Sequence, residues 1–187
     1  MKIYQLYKTA SHVILEQDVE DMSDEEFEEY LRRLPPQDRP HAQAQRQTGF
    51  WGEVAAGGLF VAMDTGRILF SHRSDQVLEP ETWGTFGGAV DSGENPSVAA
   101  RREAAEEGAN VDIQEVVPLF VFKHSSGFTY YNFLFVVPHE FNPIYTWETQ
   151  GHEWVEFGNW PSPMHPGTQL LLSDQQSLSI IRKYAEV

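Results

Sequence analysis

Residues 94–107 gather Glu94, Arg102, Glu103, Glu106 and Glu107 behind a glycine-bearing run, TFGGAVDSGE. On a helix advancing 100° per residue, Glu103, Glu106 and Glu107 fall within roughly a 100° arc, while Val98 and Ala105 point to the other side. Glu103 and Glu107 are then an i, i+4 pair of like charges, which costs a few tenths of a kcal/mol on an isolated helix. A divalent cation offsets that repulsion directly. Magnesium prefers carboxylate oxygens, keeps some of its waters and bridges readily to phosphates. Gly87 and Gly88 allow backbone to approach a ligand closely, and Gly93 allows a turn back to the helix. REAAEE by itself is also what a solvated helix face looks like, so the elements around it must decide.

The whole chain has 187 residues, with 13 Lys and Arg against 28 Asp and Glu and a formal net charge of -15. Such a surface repels a phosphate backbone, which argues against tight nucleic-acid binding. A phosphate-bearing small substrate must then be met by cations the site supplies itself, as arginines or as metal. Hydrophobic residues at 41% and aromatics at 13% supply a folded core. The absence of cysteine excludes disulfides, thiolate zinc sites and a cysteine nucleophile. MKIYQLYKTASHVILEQDVEDM lacks a long apolar stretch, and no run of eighteen apolar residues occurs. The expectation is a cytoplasmic protein with no membrane partner.

Nearer the N-terminus, Ser23 and Glu26 predict a capping box for a short acidic helix carrying Phe27, Tyr30, Leu31 and Leu34 at helical spacing. Pro35 and Pro36 stop it. QDRPHAQAQRQTG is polar and aperiodic, as a linker would be, so residues 1–48 are expected to form an N-terminal extension and 49–187 the domain. Two apolar runs around Asp64, Thr65 and Gly66 predict a hairpin, and LFVFKH with FTYYNFLFVVP around Ser125–Gly127 predict a second. Between them Asn95 as N-cap and Pro96 at the first position open the carboxylate helix. A Ser-x-x-Gln box at Ser173 and Gln176 is expected to start the final helix, with Leu178, Ile181 and Tyr184 on one face. Strands around a central helix, with another helix at the end, predict a mixed sheet sandwiched by helices.

Taken together, Gly88, five residues, Glu94, seven residues, Arg102, Glu103, two residues, Glu106 and Glu107 resemble the Nudix box. The resemblance extends over about Gly52 to Leu172. It implies an α/β/α sandwich with the box as a loop, helix, loop unit. It implies that Glu103, Glu106 and Glu107 serve as metal ligands or base, that the Gly88 carbonyl is a further ligand, and that Glu94 pairs with Arg102 to hold the loop. The cofactor implied is Mg2+, with Mn2+ as the alternative. Two positions depart from the pattern: Ala109 replaces the closing glycine, leaving Gly108 or Asn110 to end the helix, and Phe86 stands where many relatives carry proline.

The family often adds an acid from a later loop, and Glu148 in IYTWETQGHEWVEF is the first candidate, ahead of Glu153 and Glu140. Arg73 offers a planar fork suited to phosphate. Arg73, Phe86 and Gly87 are therefore the candidate substrate-binding residues, and Trp83, Tyr130 and Tyr131 are further aromatic surfaces that would equally suit a core. His139 and His152 show no metal spacing and read as surface residues.

The resemblance implies hydrolysis of a diphosphate bond in a nucleoside diphosphate linked to another moiety, such as ADP-ribose or a dinucleotide. A nucleoside triphosphate is the alternative substrate, and a non-catalytic nucleotide sensor the alternative class. The acidic helix of the extension is expected to lie away from the pocket, packed on the domain or on a second copy in a homodimer.

Overall fold

A computed structural model describes residues 19, 22–36, 38–75, 77 and 79–186. In chain order these form α1 (Asp24–Arg33), α2 (Arg39–Thr48), β1 (Val54–Ala62), β2 (Ile68–Arg73), β3 (Trp83–Gly84), β4 (Phe86–Ala89) and α3 (Pro96–Glu106). Then come β5 (Glu115–Lys123), β6 (Thr129–Val137), β7 (Thr149–Val155), α4 (Pro166–Ser173) and α5 (Gln175–Ala185).

β1 organises the sheet. It runs parallel to β6 along its whole length, from Val54↔Thr129 to Ala62↔Val137. On its other edge β4 pairs with Ala55–Gly58 and β2 with Phe60 and Val61, both antiparallel. The chain from 83 to 89 therefore crosses from β2 to β1, filling the gap where those two strands part. β5 and β7 form the outer neighbours of β6 and β2. Both expected hairpins are present, as β1–β2 and β5–β6.

Side-chain alternation sorts the apolar residues onto two faces. Ala56, Phe60 and Ala62 of β1 join Phe133, Phe135 and Val137 of β6 under Ala99, Ala100 and Ala104 of α3. Leu59 and Val61 join Leu134 and Val136 under Leu171, Leu172 and Ile181 of α4 and α5. A sheet covered on both faces needs near-continuous apolar strands, which is how LFVA and FLFVV read. Each fully buried Phe or Leu here contributes roughly 1.5–3 kcal/mol. The result is a mixed sheet between helices, an α/β/α sandwich.

Two local expectations are corrected. The stretch expected to be a linker contains α2, which buries Ala42, Ala44 and Gln45 and closes on Gly49 in the left-handed conformation. Its pattern escapes apolar periodicity because the buried face is made of small and polar residues, and Pro40 is tolerated in the first turn, where amides lack helical partners. α1 packs on it: Phe27 and Leu31 cluster with Val19 and Ala42, and the Arg46 guanidinium lies 4.4 Å from the centre of the Phe27 ring. The capping box of Ser23 and Glu26 is formed.

At the other end, Ser173 finishes α4 and does not start α5. Its hydroxyl donates to Leu170 O, while Asp174 caps α5 by accepting the Ser177 amide at 2.8 Å. An aspartate one residue on is the better cap, since its charge also favours the positive end of the helix.

Candidate active site

Asn95 caps α3 by accepting the Ser97 amide, with Pro96 in the first turn. The helix ends at Gly108, whose φ of 92° no side-chain-bearing residue adopts cheaply. Gly108 N–H donates to Ala105 O and Ala109 N–H to Ala104 O, the paired bonds of a Schellman end. Ala109 can replace glycine because the left-handed turn has moved one residue upstream, and its methyl is buried instead.

Which face α3 buries is the decisive feature. Val98 is 54% exposed, whereas Ala99, Ala100 and Ala104 meet the sheet. Glu103 and Glu107 share that inward side. Small alanines let the helix come close, and a Cβ at Gly88 would run into the Glu103 carboxylate. Glu107 is only 8% exposed, and its Oε1 accepts the Gly87 amide at 2.8 Å. Glu106 sits on the solvent side of the group.

Arg102 organises the loop before the helix. Its Nε and Nη2 donate to the two oxygens of Glu94 at 3.1 and 2.8 Å, and Nη2 also donates to Ala89 O at 3.0 Å. Glu94 in turn accepts the Asp91 amide. Nη1 turns to Glu103, with Glu106 at 3.8 Å. The Arg102 guanidinium holds Glu94 below the usual carboxylate range.

Glu103 behaves oppositely. Burial lifts its carboxyl to about 7 despite Arg102. Glu107 is raised well above the ordinary value, by burial first and then by the negative charge of Glu148. Burial also pushes the Tyr130 hydroxyl up to about 12, although it hydrogen-bonds Thr85 Oγ1 at 3.2 Å.

These groups open on a cleft of about 1320 Å³ that includes Gly87, Gly88, Glu103, Glu106, Glu107, Glu148, Arg73 and Tyr130 in its walls. Glu148 thus comes to the site from the loop before β7. Glu140 instead pairs with Arg67 at 3.1 Å, and Glu153 is an exposed residue of β7; neither lines the cleft. Phe86 departs from expectation: its ring is 0% exposed and packs edge-on against Phe60, so it offers no surface to a ligand. Trp83 stacks on His72, and Tyr131 packs against the α3-side core. His139 lies at the surface near Asp64, but His152 is stacked between Phe86 and Tyr145 with a buried Nε2, and is no surface residue.

The extension does not stay clear of the cleft as expected. Arg32 and Arg33 from the end of α1, with Arg39 and His41 of α2, form part of its wall. The acidic first turn of α1 carries the repulsive charge, while its basic last turn is what reaches the cleft. Nothing in the pattern of 1–48 signalled this, because its direction depends on α2.

Among the described residues, no three His, Asp or Glu side chains are gathered into a cage ready for a metal ion. Arg102 draws Glu103 and Glu106, and the Gly87 amide holds Glu107. The donor set nevertheless suits a hard cation. Buried carboxylates crowd together with Arg102 already committed to Glu94, and magnesium needs few protein oxygens because it retains water.

Residues 52–174 match the NUDIX domain. The chain is 27% identical over 108 residues to a nucleoside triphosphate pyrophosphatase/Nudix hydrolase fusion protein of Bifidobacterium longum (strain NCC 2705). That match covers 54% of this chain and 20% of the relative, so the chain spans about a fifth of the curated relative's length. Among solved structures it resembles a MutT NUDIX hydrolase from Burkholderia pseudomallei, at 25% identity and a TM-score of 0.52, covering 64% of this chain and 95% of that one. It also resembles RenU, a Nudix hydrolase from M. Smegmatis, at 25% identity and a TM-score of 0.53, covering 72% and 86%. With more than half its length matched by the domain, and with the box laid out on α3 and the loop before it, the chain belongs to the Nudix family.

Proposed function

We propose that this chain is a divalent-metal-dependent pyrophosphohydrolase that cleaves the diphosphate bond of a nucleoside diphosphate linked to another moiety, of the ADP-ribose or dinucleotide type. The observation that carries this is the burial of Glu103 and Glu107 on the inward side of α3, facing a cleft, where burial raises both carboxyls although Arg102 pairs with Glu103 and the charge of Arg73 reaches Glu107. Buried carboxylates crowded together remain costly in their charged form until a further cation joins them.

Glu103, Glu106, Glu107 and the Gly88 carbonyl would hold the metal, Mg2+ first and Mn2+ as alternative. When bound, it supplies neutralisation of diphosphate charge and a water of lowered pKa. The protein's own groups do the rest. Glu148, near enough to Glu107 for its charge to be felt there, would take the proton of the attacking water while Glu107 serves the metal. Water oxygen bonds to phosphorus, its proton passes to Glu148, and the anhydride P–O bond breaks with the phosphate half leaving. Glu94 and Arg102 keep the Gly88 loop against α3, and Arg73 meets phosphate oxygens. The breadth of the cleft, above the usual 300–1,000 Å³ of small-ligand sites, supports a substrate with two moieties.

The test is a screen of nucleoside diphosphate conjugates, dinucleotides and nucleoside triphosphates with and without Mg2+, with products identified by mass. Metal-dependent cleavage of the conjugates in preference to triphosphates is the expected result. Binding of nucleotides without any product would sink the hydrolase reading, and faster triphosphate cleavage would replace the substrate class.

A further inference from the structure

The cleft has a second polar corner, where β3 meets the start of α4 and where Arg73, whose charge also reaches Glu107, joins them. A methyl group added at Gly84 would lie 3.5 Å from His165 Cβ, 3.7 Å from Thr168 Oγ1 and 3.8 Å from Arg73 Cδ. Side chains from β2, from the residue capping α4 and from the first turn of α4 therefore converge on one point, and all three line the cleft.

Each side chain carries a donor, and that of Thr168 lies at this point. Thr168 is 2% exposed, and its hydroxyl makes no hydrogen bond with any described residue although it borders the cleft. A hydroxyl left open to the cleft in this way can donate to water or to a ligand oxygen. His165 Nδ1 accepts the Gly167 amide at 3.1 Å, so the proton of the neutral ring must sit on Nε2, which is then a donor. Burial and the charge of Arg73 press its pKa down to about 4, so the ring stays neutral near pH 7. Arg73 adds the positive charge, and the N-terminal end of α4 adds to the field. The corner is rigid: His165 N–H donates to Trp83 O and Trp83 N–H to Pro163 O, both at 2.8 Å, pinning α4 to β3.

We propose that Arg73, Thr168 Oγ1 and His165 Nε2–H form an oxyanion subsite that takes a phosphate of the substrate other than the one attacked. Which phosphate it takes rests on the hydrolase reading above; the capacity to bind an oxyanion does not. The absence of a side chain at Gly84 leaves the space that the anion fills.

The experiment titrates inorganic phosphate into the full chain after removal of divalent metal, following heat by calorimetry and the His165 imidazole by 1H–15N correlation. Saturable binding in the millimolar range is expected, with movement of the His165 Nε2 resonance. Thr168→Val, nearly isosteric, should weaken binding about five- to tenfold by removing one donor. Gly84→Ala meets only ordinary contacts of 3.5–3.8 Å, so it should melt like wild type and yet bind phosphate at least about tenfold more weakly. If Gly84→Ala misfolds, Thr168→Val carries the same test. Wild-type protein showing no saturable phosphate binding, or both variants binding as wild type does, overturns the subsite. A chain that binds phosphate as described but cleaves no nucleotide keeps the subsite and loses the hydrolase reading. Cleavage with an unchanged KM in both variants does the reverse.

Discussion

α1 and α3 are both rich in glutamates and treat them in opposite ways. On α1 the carboxylates face water: Glu29 meets Arg32 at 3.0 Å and Arg33 at 2.9 Å, and Glu26 is held by Ser23. Both carboxyls drop below the usual range because of those hydrogen bonds. On α3 Glu103 and Glu107 are turned toward the sheet, and burial drives both up. The first helix satisfies its acids at the surface; on the second, burial outweighs what Arg102 and the Gly87 amide offer. Counting acids does not separate the two, whereas the direction of the core does.

The largest expected break in this contrast comes from Glu107→Gln. The amide oxygen can still accept from Gly87, so circular dichroism should show an intact fold, while turnover falls by ~10²–10⁴-fold. With chelator present its melting temperature should equal or exceed that of wild type, because a buried like charge has gone. Near-normal turnover would remove Glu107 from the chemistry.

Arg102→Ala should come next. It strips Glu94 of its bidentate partner and frees the carbonyl of Ala89, costing about 3–5 kcal/mol and slowing turnover. A thermal melt matching wild type would show that the loop is held by other means.

The pH dependence sharpens the contrast further. Glu103 has a folded pKa raised from 4.5 to about 7, so the folded chain binds its proton more tightly than the unfolded one. The stability this contributes is complete below about 4.5 and is lost as pH rises through 7, by roughly 3 kcal/mol. In chelator, the melting temperature of wild type relative to that of Glu103→Gln should therefore fall between about pH 5 and 7.5; Glu107 acts in the same direction as Glu103, whereas His152 and His165, pressed down to about 4, act in the opposite one in both proteins and cancel in the difference. Added divalent metal should restore stability at the upper end. A difference between wild type and Glu103→Gln that rises across this window contradicts the burial argument.

The smallest effect belongs to α1: Glu29→Gln should leave both melting and turnover at wild-type values, since its ion pairs are exposed. A loss of turnover comparable to Glu107→Gln would mean that the two helices are not the different things described above.

Much of this was legible in the chain. The hairpins follow from apolar runs around Asp64–Gly66 and Ser125–Gly127, and α3 from Asn95, Pro96 and the glutamate spacing, because turn chemistry and caps are local. α2 was not, since its buried face of Ala42, Ala44 and Gln45 carries no apolar signal, nor was the cap of α5, where Asp174 competes with Ser173.

What the sequence by itself determined is the set of groups: carboxylates at a spacing that puts them on one side of a helix, an arginine beside them, and glycines ahead. Only the tertiary structure decided that this side points inward, that Phe86 belongs to the core, and that Glu148 rather than Glu140 or Glu153 joins the cleft. It likewise brought Arg32, Arg39, His165 and Thr168 to the same cavity from both ends of the chain. Periodicity fixes which residues share a face, but not which face the sheet will cover. That choice depends on contacts between residues far apart in sequence, and those contacts set the burial that gives these carboxylates their chemistry.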